Sequence, residues 1–123
     1  MNECDTIYGI YRNKIGVFMM KAELIKRLVN KVDGELNAYK KLLLQMSAEK
    51  IMAHSYETVV KEEFCDILKY DTEKYLSEEK IEKLLKIDNL LDYLYQDWLK
   101  FEDNVIEEYE EFIFGYWSWE ELR

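Results

Sequence analysis

Apolar residues recur along most of this chain at spacings of three and four. The most regular run lies towards the C-terminal end. Leu91, Trp98, Val105 and Phe112 stand seven residues apart, Leu94 and Phe101 fall between them, and Tyr95 and Tyr109 widen the stripe. This is the period of a helix with one buried side. Asp88 stands where an N-cap belongs, and Gly115 stands where a helix commonly stops. The pattern predicts one helix over residues 88–115, a rod of roughly 40 Å at 1.5 Å rise per residue.

The same period predicts a first helix over residues 20–46, with Leu24, Leu28, Val32, Leu36, Tyr39, Leu43 and Met46 on its buried side. Gly34 lies inside it at a cost of about 1 kcal/mol relative to alanine, which marks a bend or a close helix contact. Ser47 is placed to cap a second helix that opens Ala48-Glu49-Lys50. Ile51, Tyr56, Val59, Val60, Phe64, Ile67 and Leu68 form its inner side, with a break expected near residues 55–58. Asp71-Thr72 reads as a turn. Ser77 caps a further short helix with Ile81, Leu84 and Leu85 inward. Residues 1–18 are β-prone: 6–11 and 15–18 flank the turn-like Arg12-Asn13-Lys14, which predicts a hairpin packed on the helices or an extended arm. The expected fold is a mainly α-helical single domain over 1–123, a bundle of four to five helices with its helical core at 20–114. Its interior should hold Leu28, Val32, Leu43, Ile51, Tyr56, Phe64, Ile67, Leu84, Leu91, Leu94, Trp98, Val105 and Phe112.

Composition agrees with a packed helical domain. There is no proline, only four glycines, 49% apolar and 35% charged residues, a balance that can bury a core. No apolar run reaches the ~18 residues of a membrane span, and the first stretch, with Glu3 and Asp5, is no secretory leader. Cys4 and Cys65 form no motif, so a reducing, cytoplasmic setting is expected, with Cys65 buried in a helix.

Charge changes the picture more. Residues 88–123 hold 11 acidic and two basic residues, and the rest of the chain balances, so the whole net charge of −9 falls in the last third. Asp103/Glu107 and Glu107/Glu111 are like-charge pairs at i,i+4, each costing roughly 0.2–0.5 kcal/mol in a helix. Helix stability alone would have mixed the signs. The simplest use of Lys21, Lys26, Arg27, Lys31, Lys40 and Lys41 on the first helix is to balance this acidic helix from across the bundle.

Motifs for chemistry are absent. His54 is the one histidine, so no histidine–cysteine metal cluster fits the usual spacings. It reads as a structural residue bonding a nearby carbonyl or carboxylate. Glu62-Glu63 and Glu78-Glu79 are neighbours in helices and point different ways. No glycine-rich phosphate loop and no nucleophile elbow occurs. No catalytic residue, metal ligand or cofactor site is assigned, and the chain is not expected to be an enzyme.

One stretch bears a resemblance. Ile51, His54, Tyr56 and Glu57, followed by Val60-Lys61-Glu62-Glu63, resemble the core signature of a family of short uncharacterised helical domains from Firmicute phages and conjugative elements. Leu76-Ser77-Glu78-Glu79, Leu84-Leu85 and residues 88–107 resemble that family's second half. The resemblance spans about residues 20–110 and implies a setting in mobile elements. No catalytic residues are known for such domains, so it assigns none.

Two surfaces are candidates for binding. The outer acidic face carries Asp92, Asp97, Asp103, Glu107, Glu110 and Glu111. The tail is nearly continuously aromatic and includes Tyr116, Trp117 and Trp119, whose cover would be residues 6–18, a second copy of the chain or another partner. The bland readings are a solvated face and an intramolecular seam. A chain of net charge −9 repels nucleic acid, and a basic protein is its natural complement. Eight acids between Asp92 and Glu111 on one rod would stand about 4 Å apart per charge, near the 3.4 Å of a nucleic-acid strand. This motivates the reading of an anti-CRISPR-like inhibitor that covers the basic surface of a CRISPR nuclease or another DNA-binding host enzyme. The alternative is an assembly module of a mobile element that forms a homodimer through its aromatic tail. The two differ in whether the purified chain is a monomer with accessible tail tryptophans.

Overall fold

The computed structural model describes residues 3–100 and 109–116, with side chains described for 20–100 and 109–114. Seven α-helices follow one another in these parts: α1 Glu3–Leu44, α2 Ala48–Ala53, α3 Ser55–Tyr70, α4 Thr72–Tyr75, α5 Glu78–Leu85, α6 Leu90–Trp98 and α7 Tyr109–Glu111, which runs into a π-helical turn, Phe112–Tyr116. No strand occurs among the described residues, and the protein is mainly α-helical. α1 packs along α3, α5 and α6, and α3 packs on α6 and α7. No helix among the described residues is long and apolar enough to cross a membrane.

The expected N-terminal hairpin is absent, because α1 begins at Glu3 and runs unbroken to Leu44. Strand propensity depends on a sheet to join, and none occurs among the described residues. Lengthening a helix that is already nucleated costs less than starting a new element, even through Gly9 and Gly16 at about 1 kcal/mol each. Gly34 marks no close contact: a Cβ placed there meets nothing within 4 Å. Ser47 and Ser77 do cap, their hydroxyls accepting the Lys50 and Lys80 amides at 3.3 Å. The break falls at His54, which separates α2 from α3.

The single rod expected over residues 88–115 is not formed. α6 ends at Trp98, and the aromatic rings beyond it return to the same core. Trp98 lies 4.6 Å from Tyr109 and 5.3 Å from Phe112, ring centre to ring centre. On a straight helix those residues would stand roughly 16 and 21 Å apart. Phe64 of α3 gathers Trp98, Tyr109 and Phe112 around itself at 5.5–5.9 Å. Ile113 is also fully buried, and Phe114 stacks on Tyr75 at 4.8 Å. Part of the aromatic tail is thus covered by α3, α4 and α6, a cover distinct from the three considered above.

Leu28, Val32, Leu43, Phe64, Ile67, Leu84, Leu91, Leu94, Trp98 and Phe112 are all buried. Ile51 is only partly buried, and Tyr56 and Val59 are exposed because α3 turns that side outward. Met46 follows the end of α1 and is exposed too. Val105 lies outside the described residues.

Candidate functional site

The stretch around His54 folds into a polar network rather than a pocket for chemistry. His54 Nδ1 lies 3.3 Å from Glu57 Oε1, and Lys61 Nζ donates to Glu57 Oε2 at 2.7 Å. The spacing of three and four residues puts all three on one side of α3. Lys61 is a buried cation, only 7% exposed at its side chain. It meets Asp92 Oδ1 of α6 at 3.3 Å and lies 4.2 Å above the Tyr39 ring of α1. Thr58 donates to the His54 carbonyl at 2.9 Å, and the Tyr39 hydroxyl meets Thr58 Oγ1 at 3.0 Å. Burial raises the Tyr39 phenol above its ordinary value, and the Glu57 charge adds to this against opposing contributions from Thr58 and Lys61. Tyr56 is exposed at its ring, but its hydroxyl accepts the Trp98 indole N–H at 2.8 Å. These residues therefore tie α3 to α1 and α6, and every polar group that meets Lys61 is already engaged.

The acidic residues have separate fates. Asp92 is half-exposed and paired to Lys61, and Asp97 is paired to Lys100 at 3.2 Å. Glu110 and Glu111 are exposed on α7. The Glu110 carboxyl is raised by its hydrogen bond to Asp71, then by desolvation, with Lys74 opposing. Tyr116 belongs to the π-helical turn, with nothing described of its side chain, and Asp103, Glu107, Trp117 and Trp119 lie outside the described residues. Among the described residues the cations of α1 do not pair with the acids of α6. Arg27 pairs with Glu23 and Lys31 with Glu35 on α1 itself, Lys40 pairs with Glu62 of α3, and Lys21 donates to the Glu73 carbonyl.

The uncompensated carboxylates collect elsewhere. Between α3 and α7 runs an open groove of about 350 Å³, lined by Glu63, Asp66, Tyr70, Asp71, Tyr109 and Glu110 along with Ile67. Among the described residues none of its four carboxylates has an ion-pair partner within 4 Å. Glu63, Asp66 and Tyr70 share one side of α3 by their spacing of three and four, a signal that the sequence does carry. Asp71 joins them as the C-cap of α3, and Glu110 only because the tail folds back. A second groove, of about 500 Å³, lies between α1 and α6 beside Gly34, Glu35 and Lys61. Its charges are matched within the protein, Lys31 against Glu35 at 3.0 Å and Lys61 against Asp92. No trio of acidic, histidine or cysteine side chains among the described residues is disposed to hold a metal ion. Set against family models, curated proteins and solved structures, the chain matches none of them.

Proposed function

We propose that this chain is an acidic protein-binding protein whose partner presents a basic surface built for nucleic acid. Within that class, the reading is a counter-defence inhibitor of a mobile element that blocks a host DNA-targeting nuclease. One observation carries it: a net charge of −9, with four carboxyls gathered on the α3–α7 side, none of them in an ion pair within 4 Å among the described residues. The resemblance of residues 51–63 to domains of phages and conjugative elements points the same way. The expected interaction is an electrostatic one, fast to form and weakened by salt. The partner is met by a broad acidic patch rather than by a line of evenly spaced charges, since α6 and α7 are not one rod.

The test is nuclease inhibition by the purified protein across a salt series. Glu63→Lys, Asp66→Lys and Glu110→Lys together, all on the α3–α7 side, should abolish inhibition while leaving the helical circular-dichroism signal intact. Normal inhibition by that triple variant would overturn the reading.

A different observation favours the assembly module, through a face other than the aromatic tail first considered for it. Leu42, Leu44 and Met52 are 59%, 79% and 75% exposed at one end of the bundle, where α1 meets α2. A dimer in sedimentation that dissociates on Leu44→Glu and Met52→Glu would support that reading.

A further inference from the structure

A short helix is marginal in water on its own and holds its shape by burying one side against a neighbour. α2 departs from this. None of its six residues is buried, and Ile51 is only partly covered. The Ser47 hydroxyl caps its start and the His54 amide closes its end, but a side-chain cap contributes only about 1 kcal/mol. The chain around it is just as open. Leu42 and Leu44 at the end of α1, Met46 in the turn that follows and Met52 on α2 itself are all exposed. Apolar side chains gathered at one end of the bundle, beside a helix that its own chain leaves uncovered, mark a contact surface.

The charges on that surface indicate what covers it. Lys41 stands beside Leu42 on α1, and Glu49 lies in the first turn of α2. Both are exposed, and neither has an ion-pair partner within 4 Å among the described residues. Lys50 is unpaired too, but as the next residue it points to another side of α2. Unpaired charges of opposite sign on one apolar patch suit an isologous contact. Across a two-fold axis the lysine of each copy meets the glutamate of the other, and both pairs form at once. A basic partner would be repelled by Lys41, and an anionic one by Glu49. The place also suits two copies of an acidic chain. Residues 40–53 carry three lysines against one glutamate, and α3 leads roughly 24 Å away before Asp71 at its far end. We infer that a second copy of this chain covers α2, with Leu44 and Met52 of the two copies packed together and Lys41 of each paired to Glu49 of the other. This rests on the assembly reading, and it gives that assembly its symmetry and its charge pairs.

The experiment is sedimentation equilibrium of the full chain and of two single variants, Lys41→Glu and Glu49→Lys. The unaltered chain should dimerise as its concentration rises. Each variant sets like charges against each other twice across the axis, so each should weaken the dimer about tenfold. Mixed in equal amounts, the two variants bring opposite charges together again at both places. The mixture should therefore form a heterodimer about as tight as the original dimer, a recovery that an asymmetric contact with some other face would not give. An unchanged circular-dichroism signal in each variant checks that the bundle is intact, as expected for exposed side chains on a surface that α2 does not bury. A dimer that neither substitution weakens, or a mixture no more associated than its separate components, would overturn this contact and leave the assembly reading standing. A chain that is monomeric at every concentration would sink the assembly reading and this contact with it.

Discussion

Lys61 shows what a single buried charge does in this protein. Its ammonium is held between Glu57 and Asp92 over the Tyr39 ring. Lys61→Met keeps much of the bulk but leaves Glu57, itself mostly buried, without its cation. A loss of about 3 kcal/mol is expected, in the range for breaking a buried pair from one side, read as a lower midpoint in urea. Gly34 should behave in the opposite way. Because a methyl group there meets nothing, Gly34→Ala should gain about 1 kcal/mol of helix propensity and raise Tm by roughly 4 °C. Cys65 makes a third case. Burial first, then the neighbouring Asp33, push its thiol up to about 12 from an ordinary 9. The folded state therefore keeps that proton while the unfolded chain releases it. The stabilisation is complete below pH 9 and is lost as pH climbs from 9 towards 12. In a Cys4→Ser background, the thiol should stay unreactive to a disulfide reagent at pH 8 until the protein unfolds. Rapid labelling of the native protein would contradict this.

At the scale of elements, what was legible in the sequence was local. Ser47 and Ser77 cap helices through bonds that span three residues, so the serine and the helix it starts are read together. The start of α6 is not legible in the sequence, for the opposite reason. Asp88 is not its cap, and Asn89, at φ 50°, makes no side-chain cap bond either. The Leu91 amide is instead accepted by Glu35 Oε1 at 2.8 Å, from α1 and 56 residues away. No spacing rule reaches that far. The same glutamate holds Lys31 through its other oxygen, so one side chain fixes both the entry of α6 and its seat on α1. Glu35→Ala should cost about 1–2 kcal/mol, the upper range for loss of a helix cap, and Glu35→Gln, which retains an acceptor, distinctly less. The check is amide hydrogen exchange in α6, which should accelerate in Glu35→Ala before the rest of the bundle does. The β-prone N-terminal residues failed as a guide because strand preference has force only beside another strand, and α1 was already there to extend.

For the molecule as a whole, the decisive matter is how the acidic third folds. A period of seven predicts one rod because periodicity sees a face and not an interruption. Leu91, Leu94, Trp98 and Phe112 are all buried as that face requires, so the pattern was right about burial and silent on connectivity. The rings settle the path: Trp98 and Phe112 lie 5.3 Å apart where a rod would hold them roughly 21 Å apart. Nuclear Overhauser contacts between the Trp98 indole and the Phe112 ring should therefore be strong in the native protein. They should vanish in Phe64→Ala, which removes the ring that both pack against. That substitution should also cost about 3–5 kcal/mol, a large part of the stability of a domain this size. If the contacts are missing from the native spectrum, the acidic residues lie along one straight helix after all. Tyr109 and Glu110 would then lie away from Glu63 and Asp66, and the groove would not exist. A partner would then face a line of charge, a strand-like acidic ridge in place of a patch.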